Sequence, residues 1–261
     1  MSTKRKELKE SRNAALSDQE REVFSWQMNV AGFGQGGQEK LKASTVLVSR
    51  CGGVGGAVAY QLAAAGVGRI ILAHAGEVKP SDLNRQLLMT HDWIGKPRVE
   101  CAARRLKELN PWLDVQAVAE NVSDSNVARL VGAADLIVDG APLFEERFLL
   151  NRESVKQGKP MVECAVYALE ATLTVLVPGR TPCLRCLVRE HPSYWTRRFP
   201  VFGASAGAVG CLAAMEAIKV LGGFGKPLLG ELLTCDLRDL HFHKVRVHRD
   251  PGCPECRHLP A

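Results

Sequence analysis

The stretch "VSRCGGVGGAVA", residues 48–59, decides the fold because a glycine-rich turn separates two segments of different periodicity. Before the turn, "STVLVS" is a short apolar run typical of a buried strand. After it, "GAVAYQLAAAGVG" predicts a helix of small residues that packs closely on a sheet, and "RIILAH" predicts a second strand. A glycine-rich turn between a strand and a helix is the context in which such loops bind nucleotide phosphates.

The alternation of strands and helices continues along the chain. Helices are predicted over "GKPRVECAARRLKELN", residues 123–130 and "FEERFLLNRESVKQG", and strands over "LDVQAVA", "ADLIVDG" and "PMVECA". This order predicts an α/β fold with a Rossmann-like, doubly wound, mostly parallel sheet. After residue 165, "LEATLTVLVPG" and "LLTCDLRDLHFHKVRVHRD" predict a C-terminal antiparallel β extension. We therefore expect a polar N-terminal arm at 1–20, a nucleotide-binding core at 21–165 and a continuation of the same domain at 166–261.

The composition is that of an ordinary globular protein. The 261 residues are 46% hydrophobic and 24% charged, with a formal net charge of +6. The basic residues are scattered, so no nucleic-acid partner is expected. The first 20 residues are polar and lack the apolar segment of a signal peptide, and we expect a cytoplasmic protein that does not associate with membranes.

Two C-x-x-C pairs stand far apart in the sequence, Cys183 with Cys186 and Cys253 with Cys256. Two such pairs can close one tetrahedral site in which all four ligands are sulfur. Because no coordination position stays open for a substrate, the pattern predicts a structural zinc site that ties down the C-terminal region. The alternative is that one or both pairs form a redox dithiol.

The other five cysteines lie in or beside apolar segments, and in a reducing compartment each is expected to be a small core residue. Cys51 is a partial exception. It stands on the glycine-rich turn next to the predicted start of a helix, a position that lowers the pKa of a thiol. It is therefore also a candidate reactive thiol.

Six motifs in this order resemble the ThiF/MoeB/HesA group of E1-like adenylyltransferases: "CGGVGG", "SDLNRQLL", "GKPRVE", "PGRTPCLRCL", "AMEAIKVLGGFGKPL" and "DPGCPEC". Within that group, "HDWIGKPRVE" and "FPVFGASAG" are most similar to the HesA branch, which is associated with nitrogen fixation. The resemblance implies an ATP-using homodimer with a zinc site in its tail. Its substrate would be the C-terminal glycine carboxylate of a small ubiquitin-like sulfur carrier.

The resemblance assigns roles to residues that keep the family's pattern. Arg85 and Gln86 in "SDLNRQ" match a phosphate-binding motif, and Arg98 in "GKPRVE" takes the place of the family's lysine, with Lys96 as a stand-in. Arg85 and Arg98 are thereby the expected catalytic residues. The expected nucleotide-binding residues are Arg50, Gly52, Gly53, Gly55, His74, Arg85, Gln86, Lys96 and Arg98.

Several positions depart from the family's pattern, and they leave the use of ATP and magnesium open. Arg50 stands where the family has the first loop glycine, and His74 where it has the ribose-binding aspartate. Pro142 replaces the magnesium-binding aspartate, so that Glu145 or Glu146 is the remaining candidate ligand. The last three departures are Asp82 at an asparagine of the phosphate motif, Trp26 at the arginine that crosses the family's dimer, and Thr196 near the acceptor cysteine.

Three functions therefore stay open. The first is an adenylyltransferase of this group, which supports sulfur transfer or metallocofactor assembly. The second is a scaffold that no longer adenylates and binds a partner protein or an oxyanion. The third, an NAD-binding domain, is disfavoured because His74 stands where the ribose needs an acidic residue. For the first two, a basic pocket is expected, unless its side chains are merely solvated; its members are Arg50, Arg85, Lys96, Arg98 and Arg147.

Overall fold

The computed structural model describes residues 15–196 and 199–260, so most of the predicted arm at 1–20 lies outside the described residues. The described residues contain eight strands, all in one sheet. The strands are β1 (Thr45–Ser49), β2 (Arg69–Ala73), β3 (Asp114–Val118), β4 (Leu136–Asp139), β5 (Met161–Tyr167), β6 (Glu170–Leu176), β7 (Glu231–Asp236) and β8 (His241–Arg246).

Nine α-helices lie in the same described part of the chain. They are α1 (Asp18–Val23), α2 (Ser25–Met28), α3 (Gly34–Ala43), α4 (Gly53–Ala64), α5 (Arg98–Leu109), α6 (Val127–Ala133), α7 (Phe144–Gln157), α8 (Leu184–Leu187) and α9 (Gly203–Gly222). The helix predicted over 123–130 begins later than expected, at Val127. Residues 123–126 form a turn instead, because the Asn126 side chain accepts a hydrogen bond from the Ser123 amide at 2.9 Å.

The sheet has the order β3-β2-β1-β4-β5-β6-β7-β8. The first five strands of that order run parallel, and each of the last three is antiparallel to its neighbour. The predicted doubly wound sheet with an antiparallel C-terminal extension is therefore confirmed. The winding reverses between β1 and β4, and this reversal leaves a crevice beyond the carboxyl ends of the two strands.

Helices cover both faces of the parallel part of the sheet. On one face, alternate side chains of β1 and β2, such as Val46 and Ile70, pack against α3, α4, α5 and α9. On the other face, Leu47 and Ile71 pack against α6, α7 and α8. All five residues of β1 are buried, as a central strand of a parallel sheet requires.

Helix α9 packs closely on α4, the helix that follows the glycine-rich turn. A Cβ atom at Gly210 would lie 2.6 Å from the Cβ of Ala57 and 2.8 Å from the carbonyl oxygen of Val54, so only glycine fits there. Among the described residues, α9 is also the one helix long and apolar enough to cross a membrane, and here it packs on α4 and β5 within the fold.

We expect Gly210→Ala to lower the free energy of unfolding by about 1–3 kcal/mol, because the added methyl group forces α4 and α9 apart. Gly207→Ala is the matched control on the same helix, since a Cβ there meets no atom within 4 Å. The control should be neutral or stabilising by up to about 1 kcal/mol. Urea unfolding measures both, and equal effects would contradict the close approach of the helices.

Candidate functional site

A cleft of about 650 Å³ opens beyond the carboxyl ends of β1, β2 and β4, where the winding of the sheet reverses. Its lining comes from the turns after these strands, from the segment 79–86, from the starts of α5 and α7, from β5, and from residues between 195 and 206. The cleft brings together seven of the predicted nucleotide-binding residues: Arg50, Gly52, Gly53, His74, Arg85, Gln86 and Arg98.

The glycine-rich turn forms one wall of the cleft. Helix α4 begins at Gly53, so the unpaired N–H groups at its N-terminus lie beside the cleft, an arrangement suited to anions. Gly55 does not line the cleft. It lies below the turn, where a Cβ atom would overlap the carbonyl oxygen of Arg50, and it therefore allows the chain to turn tightly.

Arg50 keeps the backbone conformation that a glycine would adopt at this turn. Its φ is 91°, in a region that costs a residue with a side chain about 1–2 kcal/mol. Its Nε atom donates to Oε2 of Glu146 at 2.8 Å, and its Nη2 atom donates to Oε1 of the same carboxylate. Both side chains are about nine-tenths buried, so the ion pair is largely removed from solvent.

Asp82 organises the polar side chains of the segment 79–86, which lies beside the glycine-rich turn. Its buried carboxylate accepts hydrogen bonds from Gln86 at 2.8 Å and from Arg85 at 3.2 Å, and it lies 3.3 Å from Nη2 of Arg98. The main-chain amide of Lys79 donates to the same carboxylate at 3.0 Å. One acidic residue thus orients two arginines and a glutamine toward a single region.

His74 follows β2 and faces the turn that follows β1. Its Nδ1 atom accepts a hydrogen bond from the Cys51 amide at 3.2 Å, so a neutral ring carries its proton on Nε2. Of the two interpretations of Cys51, the structure favours the core residue over the reactive thiol. The thiol is fully buried, and burial raises its pKa to about 12, which outweighs any effect of the nearby helix start.

A buried charge cluster lies at the floor of the cleft. Arg147 donates to Glu163 at 2.8 Å and lies 3.6 Å from Asp139. Burial raises the pKa of Asp139 and raises that of Glu163 to about 7, although Arg147 opposes both shifts. Sequence reasoning missed Asp139 and Glu163 as members of the site. The available signal was a carboxylate inside each of two otherwise apolar strands, β4 and β5.

Lys96, Glu145, Glu146, Trp26 and Thr196 were named from the sequence and do not line the cleft. The ammonium group of Lys96 lies over the ring of Trp93 and donates to the main chain of Asp92. Glu145 is largely exposed, with its carboxylate 3.7 Å from His191. Trp26 is 90% exposed on α2.

The residues at the expected magnesium position do not fit a magnesium ion. Pro142 offers no side-chain oxygen, and both carboxylate oxygens of Glu146 are taken up by Arg50. Asp82 is surrounded by four donors, three of them on side chains and one on the main chain. Mg²⁺ needs oxygen ligands in near-octahedral positions, and the carboxylates of Glu146 and Asp82 are already engaged by arginine and amide donors.

The four predicted metal ligands do come together, away from the cleft. The sulfur atoms of Cys183, Cys186, Cys253 and Cys256 all lie within 4.8 Å of one another. Neighbouring sulfur atoms are 3.4–4.0 Å apart, close to the edge of about 3.8 Å in a tetrahedral zinc–thiolate site. The amide of Asp250 donates to the sulfur of Cys186 at 3.4 Å, as expected around a metal-bound thiolate. The cluster can hold a metal ion.

Comparison with known proteins agrees with the resemblance found in the sequence motifs. The model of the ThiF family matches residues 24–255. The chain is 47% identical to the heterocyst HesA protein of Trichormus variabilis over 241 residues, which are 92% of this chain and 90% of that protein. It is 37% identical to the sulfur carrier protein adenylyltransferase of Thermus thermophilus over 252 residues, with 93% of each chain covered.

The fold is also found in solved structures. The structure of Escherichia coli MccB with ATP superimposes with a TM-score of 0.76 at 28% identity, and the match covers 85% of this chain and 69% of MccB.

We expect the isolated protein to carry about one zinc ion per chain, and Cys253→Ser to lose it and to unfold at a lower temperature. Cys211→Ser is the control for zinc content, because Cys211 is exposed and lies outside the cluster. Elemental analysis together with thermal unfolding measures both properties. Full zinc content in Cys253→Ser would contradict the four-cysteine site.

The raised pKa of Glu163 predicts a pH dependence of stability. The carboxyl binds its proton more tightly in the folded state, where its pKa is about 7, than in the unfolded chain, where it is about 4.5. Its stabilising contribution is therefore full below pH 4.5 and is lost as the pH rises through 7. Relative to Glu163→Gln, the natural protein should lose up to about 3 kcal/mol between pH 4.5 and 7.5 in urea unfolding. A difference that does not vary with pH would contradict this.

Proposed function

We propose, because the chain belongs to the ThiF family, that it is an ATP-dependent adenylyltransferase for the C-terminal carboxylate of a small ubiquitin-like sulfur-carrier protein. The observation that carries the proposal is the cleft at the reversal of the sheet, where Asp82 holds Arg85, Gln86 and Arg98 together. The name of the Thermus thermophilus relative supports the substrate class. The comparisons do not favour the alternative, a scaffold that no longer adenylates.

The proposed step transfers AMP to the carrier. A carboxylate oxygen of the carrier bonds to the α-phosphorus of ATP, and the bond between that phosphorus and the oxygen shared with the β-phosphorus breaks. Pyrophosphate leaves with the electron pair, and the carrier retains an acyl adenylate. Arg85 and Arg98 neutralise the charge of the phosphates, and the N–H groups at the start of α4 add a positive dipole.

A second cleft, of about 600 Å³, supports a path for the tail of the carrier. It lies over the antiparallel strands β5, β6 and β7, and Trp195 lines both clefts. The indole N–H of Trp195 donates to the carbonyl oxygen of Pro142 at 2.7 Å. This hydrogen bond holds the ring between the two clefts. In this proposal a slender C-terminal segment of the carrier passes Trp195 and brings its carboxylate to the nucleotide.

We also propose that the protein is a homodimer. Helix α9 exposes an apolar stripe, formed by Ala204, Ala208, Cys211, Leu212 and Met215. Their spacing of three or four residues puts them on one side of the helix. A second copy of the chain would cover this stripe.

The metal in the four-cysteine cluster is proposed to be zinc, which would join the C-terminal segment to α8 and take no part in the reaction. The similarity to HesA supports a role for the whole reaction in sulfur transfer or metallocofactor assembly.

The proposal predicts ATP–pyrophosphate exchange that requires a small carrier protein ending in two glycines. Arg98→Ala should reduce the rate by roughly 100-fold, because it removes a charge that contacts the phosphates. Arg104→Ala is the matched control on the same helix, since Arg104 pairs with Asp92 outside the cleft. Lack of exchange with any such carrier, or equal rates for the two variants, would contradict the proposal.

A further inference from the structure

We propose that the guanidinium group of Arg50, anchored on Glu146, is the cation that contacts the polyphosphate of the bound nucleotide, at a place where the protein offers no side-chain ligand for a divalent cation. The nucleotide part of this inference rests on the proposed function. The anion site does not, because it can be tested with inorganic tripolyphosphate.

The backbone of Arg50 is the first observation. A residue with a side chain stands at φ 91°, where a glycine would be free of strain. Such strained residues cluster at sites that bind ligands, where the surrounding structure holds them in place. The structure of the turn alone gives no reason to prefer arginine to glycine at this position, so the reason has to lie in the side chain.

The position of the side chain is the second observation. Arg50 follows β1 at the carboxyl edge of the sheet and lines the cleft together with Gly52 and Gly53. Its Nε and Nη2 atoms form one edge of the guanidinium, and Glu146 occupies that edge. No hydrogen bond from its Nη1 atom is found among the described residues. An arginine held by a carboxylate on one edge can donate to a phosphate oxygen from the other.

The role of Glu146 is the third observation. Its carboxylate is about nine-tenths buried and accepts from Arg50 through both oxygens, so a metal ion at this place would compete with the guanidinium for the same carboxylate. Pro142 offers no side-chain oxygen, and the nearby Oδ2 atom of Asp139 is buried, 3.6 Å from Nη1 of Arg147. The positive charge at this point of the cleft therefore belongs to the protein, and we expect the site to bind a polyphosphate without a divalent cation.

The test is isothermal titration of the full-length protein with sodium tripolyphosphate and with ATP, each in EDTA and in excess Mg²⁺. The natural protein should bind both in EDTA, with affinities no more than about threefold below those in Mg²⁺. Arg50→Gly should weaken binding in EDTA by roughly tenfold or more, and Arg50→Lys should lie between the two. Glu146→Gln should leave the ratio of affinities with and without Mg²⁺ unchanged.

Two control variants test whether the change in binding is specific to the Arg50 side chain. Arg69→Gln removes one positive charge at the amino end of β2, where Arg69 pairs with Asp114 far from the cleft, and it should bind like the natural protein. The double variant Arg50→Gly with Glu146→Gln avoids a buried unpaired carboxylate and should bind as weakly as Arg50→Gly. Urea unfolding verifies that each variant is folded before titration.

The inference is overturned if the natural protein binds neither probe in EDTA, if Arg50→Gly binds them as tightly as the natural protein, or if Glu146→Gln removes a requirement for Mg²⁺. Its failure is distinguishable from that of the proposed function. If Arg50→Gly loses tripolyphosphate binding and the natural protein forms no adenylate on any carrier, the proposed adenylyltransferase activity is contradicted and the anion site is supported. If adenylate forms and Arg50→Gly binds tripolyphosphate as the natural protein does, the anion site is contradicted and the activity is supported.

Discussion

The carbonyl group of Arg50 lies directly against Gly55, and this contact determines how β1 leads into α4. Because no side chain fits between them, the chain turns tightly and the N-terminus of α4 faces the cleft. The close packing of α4 on α9 at Gly210 then holds the helix against the sheet. Neighbouring segments then place their polar groups against this turn: His74 accepts from the Cys51 amide, and Gln86 and Arg85 lie beside Gly52 and Gly53.

Around the turn, buried carboxylates hold four arginines in three groups, and of these arginines only Arg85 is partly exposed. Asp82 holds Arg85 and Arg98, Glu146 holds Arg50, and Glu163 with Asp139 holds Arg147; each arginine contacts a carboxylate within 4.0 Å. Buried ion pairs contribute little net stability, because removing two charges from water costs about as much as their attraction returns. These ion pairs orient the guanidinium groups before a ligand binds. Because the side chains are already held in place, the entropy cost of binding an anion is lower.

Local sequence signals predicted most of the fold. The glycine-rich turn and the apolar runs of β1 and β2 have the periodicity and spacing that the structure contains, and the two C-x-x-C pairs converge as their pattern required. The site was harder to predict. Which carboxylate faces which arginine depends on contacts between distant segments, so the pairing of Glu146 with Arg50, 96 positions away, has no local signal. The prediction that Lys96 reaches the nucleotide depended on a contact of the same kind. In the structure its ammonium group lies over the ring of Trp93 instead of lining the cleft.

The central claim is that the arginine in the glycine-rich turn supplies the charge that meets the nucleotide phosphates. A crystal structure of the full-length protein with Mg²⁺ and a non-hydrolysable ATP analogue tests it most directly. We expect an Nη atom of Arg50 within hydrogen-bonding distance of a phosphate oxygen while Glu146 still accepts from its other edge. A structure in which Glu146 leaves Arg50 to coordinate Mg²⁺, with the guanidinium turned away from the phosphates, would contradict the claim.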